Sequence, residues 1–302
     1  MTREELNKEI QKEITDEKNI ERNKHVIKFL IKTILFITIF FTLFYAYTTY
    51  VSTVKIGVRE YRIKNEKISD SLSGLKIIQF SDLHFGSTMF NDDVLKIQKM
   101  INIRKPDIVV FTGDLIDKKY KLNSQKQEKL IKYLKGIDAS LGKYAILGDE
   151  DNEMISTIFN QSDFIVLRNE HDLIYKDDNN SILLIGLSTK DKDIEKAYSY
   201  FKEETHNNNI YSIALIHEPD TIDEILPKYT TDLFLAGHSH NGNIRIPFVN
   251  FSPFKYEGAQ KYDQDYYKIN NSELYISSGL GTHNGFRLFC RPSINFFRIS
   301  NK

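Results

Sequence analysis

Four short clusters of metal-binding side chains are strung along the chain: Asp82-Leu83-His84, Gly113-Asp114-Leu115-Ile116-Asp117, Gly148-Asp149-Glu150-Asp151 and Gly237-His238-Ser239-His240. His217 stands alone ahead of the last. Together they offer carboxylates and imidazoles, a ligand mix that suits Mn, Fe or Zn better than Ca or Mg. Two adjacent ions would each need several ligands, a ligand bridging them, and open positions for water and substrate. Asp82 and His84, alternate residues, can turn towards one ion. Asp114, next to Gly113, could present one oxygen to each. His238 and His240 can split between the two, and His217 adds a further imidazole. His25, His171, His206 and His283 fall outside the set and read as surface residues.

Each cluster closely follows a largely apolar run that reads as a buried strand. The runs are Leu75–Phe80, Ile108–Phe111, Tyr144–Leu147, Ile213–Ile216 and Leu233–Ala236. Helix-period apolar residues mark Asp92–Ile103, Gln125–Leu134 and Asp191–Phe201. Strands alternating with helices build a mostly parallel sheet, with ligands gathered at the carboxyl ends of its strands. The strand order therefore brings the clusters to one place. Asp177–Asn180 and His206–Asn209 are polar turns. Val58–Ile68 alternates loosely and reads as an edge strand.

Across all 302 residues Lys plus Arg equals Asp plus Glu, 41 each, so no basic field argues for nucleic acid. The single cysteine, Cys290, excludes both an internal disulfide and a zinc site of several thiolates. Thr33 to Val54 carries no charged residue, and about 20 such residues span a bilayer core as a helix. Tyr45, Tyr47 and Tyr50 stand towards one end, where rings favour the headgroup interface. The preceding tail is long, rich in Glu as well as Lys, and no small-x-small cleavage site follows, so the segment reads as an uncleaved anchor. The basic residues flanking it nearly balance. A short tail before a large domain fits a single-pass protein with its tail in the cytoplasm and its catalytic domain outside. The resulting organisation is a polar tail over 1–24, an anchor over 25–54, a linker or edge strand over 55–73, and one catalytic domain over 74–302.

The stretches "GLKIIQFSDLHFG", "VVFTGDLID", "YAILGD", "ALIHEPD", "LAGHSHNG" and "YISSGLGT" fall in an order that resembles the calcineurin-like metallophosphoesterases. The resemblance is to their membrane-anchored bacterial branch and covers about Gly74 to Phe297. It implies a four-layer α/β/β/α sandwich, here preceded by one transmembrane helix, with two divalent ions at the strand ends. Carried over residue by residue, Asp82, His84 and His240 would hold one ion. His217 and His238 would hold the other, with Asp114 bridging.

The third cluster departs from the family pattern, which is G-N-H followed by an acid. The family Asn sits on the second ion and the His beside the substrate phosphate. Asp149 is still a competent oxygen ligand. Glu150 would repel a phosphate unless burial among carboxylates kept it protonated, able to act as the acid. The run Asp149, Glu150, Asp151, Glu153 also reads as an ordinary solvated loop. Asn241, Asn243 and Arg287 are placed to contact substrate, Arg suiting bidentate phosphate contact. The implied activity is metal-assisted hydrolysis of a phosphodiester or pyrophosphate, with a lipid-linked or nucleotide-linked acyl-glucosamine substrate in view. A catalytically weak, metal-binding envelope protein is the competing reading, and Glu150 is the residue that separates them.

Overall fold

The structure is a computed structural model that describes residues 2–176, 180–202, 209–246, 248, 251–282 and 285–301. Two compact units divide the chain, Met1–Thr48 and Thr49–Lys302.

The first is a single helix, α1 (Arg3–Ala46), continued by a π-helical turn, Tyr47–Val51. It starts on a capping box: Thr2 accepts from the Glu5 amide while the Glu5 carboxylate accepts from the Thr2 amide. The polar tail is thus helical and runs without a break into the apolar stretch. An 18-residue window there has mean hydropathy 2.2, enough in length and composition to cross a membrane. Its threonines suit an apolar surround, because Thr33, Thr38 and Thr42 each donate their hydroxyl to the carbonyl four residues back.

The second unit is built on two six-stranded sheets. The first contains β1 (Gly57–Lys64), β2 (Leu75–Phe80), β3 (Ile108–Thr112), β4 (Gly142–Ile146), β5 (Ile165–Val166) and β12 (Ser293–Ser300), in the order β1-β12-β2-β3-β4-β5. The second contains β6 (Glu170–Tyr175), β7 (Ser181–Gly186), β8 (Tyr211–Leu215), β9 (Leu233–Ala236), β10 (Tyr266–Ile269) and β11 (Ser272–Ile276), in the order β10-β11-β9-β8-β7-β6. Strands β2 to β5 run parallel, as do β7, β8, β9 and β11. The edge strand β1 pairs in parallel with β12, which is antiparallel to β2.

The period of two sorts each strand's side chains into separate cores. Ile108 and Val110 of β3 face the second sheet, where they meet Ile213 and Leu215 of β8 and Leu233 and Leu235 of β9. Val109 and Phe111 face the other way, onto helices α2 (Asn91–Asn102), α3 (Ser124–Lys135) and α4 (Glu153–Gln161). Ala214, Phe234 and Ala236 likewise leave the central layer for α5 (Ile194–Ala197) and α6 (Ile222–Ile225). Helix, sheet, sheet and helix make the four-layer sandwich that the motif order implies. Strands buried on both faces explain why the sequence shows continuous apolar runs instead of alternation.

One helical expectation needs correction. Asp191–Phe201 is not one helix but α5 followed by a 3-10 turn, Ser199–Lys202. Ala197, Tyr198 and Tyr200 are all buried, a spacing too wide for one α-helical face. The acidic run ends in α4, whose start is capped by Asn152 accepting from Met154 N–H at 3.0 Å. The polar turns at 177–180 and 206–209 fall mostly outside the described residues.

Candidate metal centre

The parallel strands β2, β3, β4, β8 and β9 end on the same side of the sandwich, and every ligand cluster lies in the loops just past those ends. An extended chain would carry residues two apart in parallel. Here the backbone turns left-handed at the ligands themselves, with φ of 49° at Asp82, 41° at His84, 63° at Asp114, 67° at His238 and 46° at His240. Each such conformation costs about 1–3 kcal/mol and persists where the surroundings enforce it. Gly113 shows why the motif needs glycine: a Cβ there would come within 2.3 Å of His217 Nδ1. At Gly148 it would come within 2.2 Å of Asp114 Oδ1.

Two donor groups converge. In the first, buried throughout, Asp82, His84 and His240 offer ligand atoms within 4.8 Å of one another. His84 Nε2 lies 3.1 Å from His240 Nε2, and His240 Nε2 lies 3.7 Å from Asp82 Oδ1. In the second, Asp114, Asp149, His217 and His238 meet in the same way. His217 Nε2 is 3.0 Å from Asp149 Oδ1 and 3.2 Å from His238 Nδ1. Asp114 belongs between them, with Oδ2 3.5 Å from His217 Nε2 and 3.8 Å from His84 Nε2. Glu150 joins His84 and Asp114 in a third, overlapping group.

Outer contacts hold these donors in place. His217 Nδ1 donates to the Thr112 carbonyl at 2.7 Å, which leaves Nε2 for the cluster. His238 Nε2 donates to the Glu257 carbonyl at 2.6 Å, which leaves Nδ1. Asp82 accepts the His238 amide on both oxygens, at 3.0 and 3.1 Å.

The electrostatics call for cations. Burial alone would push every one of these carboxylates up and the imidazoles down. For His217, burial is outweighed by the Asp114 carboxylate, which raises it well above the usual histidine range. Asp149 is driven the other way, since hydrogen bonds from His217 and His238 overcome burial and hold it well below the usual carboxylate range. Burial and the neighbouring Asp114 charge keep Asp82 raised. Raised affinity for protons at His217 and His238 therefore offsets neighbouring carboxylates in the metal-free chain. Two groups of converging, buried nitrogen and oxygen donors fit divalent ions that would take over that role.

A sequence profile of the calcineurin-like phosphoesterases matches residues 75–242. The chain belongs to this family. The phosphoesterase is 29% identical over 269 residues to the uncharacterized metallophosphoesterase YkuE of Bacillus subtilis, covering 85% of this chain and 90% of that one. It is 25% identical to UDP-2,3-diacylglucosamine pyrophosphatase LpxG of Chlamydia muridarum, covering 75% and 84%. With phosphodiesterase YaeI of Escherichia coli it shares 25% identity, over 76% and 84%. It is a metallophosphoesterase, a hydrolase of phosphoesters, in a family whose members use dinuclear metal centres.

The three residues expected to contact substrate are all buried and engaged with the protein. Arg287 is fully buried and donates to the carbonyls of Ser278 and Gly281, each at 2.6 Å, with Nη2 3.3 Å from His240 Nδ1. It braces the loop behind His240. Asn241 and Asn243 are buried in left-handed turns, their amides donating to Asp265 and to the Tyr256 hydroxyl. Of the remaining histidines, His25 lies exposed on α1 and His171 is half-buried in β6 against Tyr200. His206 and His283 lie outside the described residues.

Asp151 is one residue the sequence reading missed. Far from being solvated, it is buried and accepts the amides of Asp114 at 2.8 Å, Leu115 at 2.9 Å and Gly148 at 2.9 Å. One carboxylate thereby clamps the loop after β3 to the loop after β4. Burial and Asp114 push it up to about 6. The signal was the family's acid after G-N-H, whose position Asp151 occupies. Lys118 was missed too: its Nζ lies 2.9 Å from Glu150 Oε1, and its amide donates to Oε2.

Proposed function

We propose that this phosphoesterase is membrane-anchored and cleaves a phosphodiester or pyrophosphate bond in a lipid-linked or nucleotide-linked acyl-glucosamine-type substrate. Asp114 carries the reading, because its carboxylate stands between two converging donor groups. Asp82, His84 and His240 would hold one ion, and His217, His238 and Asp149 the other, with Mn, Fe or Zn suited to the set. Ions of this kind lower the pKa of a water and neutralise phosphate oxygens. The protein's own share is to aim the imidazoles, fix Asp114 through Asp151, and keep the donor loops taut. The pyrophosphatase and phosphodiesterase names of two relatives support the bond class. The apolar helix supports the anchor, and the catalytic domain would then lie outside the cytoplasm.

Glu150 stands where the family has the His that assists the leaving group. An acid role for it would require the Lys118 pair to open. Closed, the pair sets an ammonium beside the site and offsets the charge that would repel a phosphate. A second reading, a metal-binding envelope protein with weak turnover, draws on this same substitution.

The test is an assay of the full chain in detergent, stripped of metal and reconstituted with Mn²⁺, on bis-p-nitrophenyl phosphate and p-nitrophenyl phosphate. Metal-dependent turnover is expected, favouring the diester. Metal uptake without turnover on either substrate, with Mn, Fe, Zn or Co, would hand the case to the second reading.

A further inference from the structure

We infer that an aromatic rim beside the metal centre docks on the surface of a lipid bilayer. This rests on the membrane-anchored reading above. The chain leaves the first donor group through His240 and enters a stretch that exposes Ile246, Phe248, Phe251 and Phe254, with Phe289 exposed on a neighbouring stretch. Phe248 is fully exposed, and Phe251 and Phe289 are more than half exposed. Soluble surfaces rarely cluster large apolar side chains in this way.

Backbone and side-chain bonds hold the described residues of the rim. Ile244 pairs with Leu288 and Ile246 with Phe251, and the Arg245 amide donates to the Leu288 carbonyl at 3.0 Å. Ser252 Oγ donates to the Gly242 carbonyl at 3.2 Å, which ties the rim to the turn carrying His240. The rings of Phe254 and Phe286 lie 6.2 Å apart. The tips are telling: φ is 70° at Phe248 and 55° at Phe289. Glycine or asparagine would make such turns at lower cost, so a phenylalanine there is held for its ring.

The topology says what covers the rings. β1 is parallel to β12 and β12 antiparallel to β2, so Gly57 opposite Ser293 lies at the end of the sheet where β2 delivers Asp82. The catalytic unit thus receives the chain at its metal end, a few residues after the apolar helix stops at Val51. Through so short a connection, a bilayer holding that helix would be within reach of this end. Exposed Lys55, Lys255 and Arg291 in the flanking stretches suit anionic headgroups. A docked rim would let a phosphate enter the donor cluster while its acyl chains stay in the membrane.

The chain contains no tryptophan, so one introduced at the rim reports alone. The experiment places full-length F248W, and separately F289W, in nanodiscs of phosphatidylcholine and phosphatidylglycerol. I103W serves as the reference, because exposed Ile103 ends α2 at the opposite end of the sandwich. The rim tryptophans should emit to the blue of I103W and lose emission to lipids brominated along their acyl chains. Water-like, unquenched emission at both rim positions overturns the inference. So does a blue shift that ignores lipid and grows with protein concentration, which would report a second copy of the chain. Failure of the chain to float with vesicles removes the anchor and the docking together. Turnover of bis-p-nitrophenyl phosphate in the same samples is scored separately: its loss with quenching intact would sink the phosphoesterase reading alone.

Discussion

The two donor groups differ in how far they are closed. Asp82, His84 and His240 have side chains 0%, 0% and 4% exposed, whereas Asp149 and His238 in the second group are 40% and 13% exposed. Arg287 and the Gly279–Gly281 turn wall in the closed group from behind. Tyr256 borders both groups, its ring 6.0 Å from that of His238 and 6.1 Å from that of His240. The closed group can hold an ion as a fixed part of the fold, while the open one faces solvent and can exchange ligands with substrate. Asp114, a member of the open group whose Oδ2 lies 3.8 Å from His84 Nε2 of the closed one, couples the fixed half to the exchangeable one.

Removing that coupling should have the largest effect. Asp114→Asn should lower metal-dependent turnover roughly a thousandfold, since bridging charge stabilisation is worth several kcal/mol; near-wild-type turnover would mean that the halves work independently. Asp151→Ala strands three buried amides and should cost about 3 kcal/mol or more of stability. A thermal melt that barely moved would show that the clamp between the β3 and β4 loops is dispensable.

Paired histidine deletions sharpen the contrast between the halves. His84→Ala and His238→Ala should each weaken metal binding by about 10–100-fold or more. Added imidazole should restore His238→Ala, where solvent reaches the gap, and leave His84→Ala unchanged. Equal rescue at both positions would erase the distinction.

The smallest effect is in pH. In the metal-free chain His217 is raised above its usual value by Asp114. The stability this pairing gives is fully present below about pH 6.5 and is lost as pH rises through the raised value. Asp149 is depressed, so its contribution is present above the ordinary carboxylate range and is lost as pH falls through its lowered value. Both are intact near pH 6. Metal must displace the His217 proton, so loading should release protons and weaken as pH falls. Calorimetry in buffers of different ionisation enthalpy reads this directly, and a proton count of zero would contradict it.

What the sequence reveals follows from local chemistry. β2 and β9 run from Leu75 to Phe80 and from Leu233 to Ala236, as their apolar runs predict, because strands buried on both faces leave an unbroken signature. The seven donors that converge were all visible as types at fixed spacing. What stayed hidden depends on partners distant in the chain. Asp151 looks like one more solvated acid until the amides of residues 114 and 115 reach it. Arg287 resembles a phosphate ligand until the carbonyls of Ser278 and Gly281 claim it. Lys118 and Glu150 meet across 32 positions, with no motif to announce the pair. The exposed aromatic rim drew no notice in sequence, because exposure is not a property of residue type.

The position of β12 bears on how the protein is made. Residues 293–300 lie between β1 and β2, so the first sheet cannot join its edge strand until that stretch has been synthesised. Pairing of such long sequence separation is slow to form. The helix α1 precedes every strand of that sheet and is made while the sheet is still open. The first sheet must therefore close late, with the edge of β2 exposed until β12 arrives.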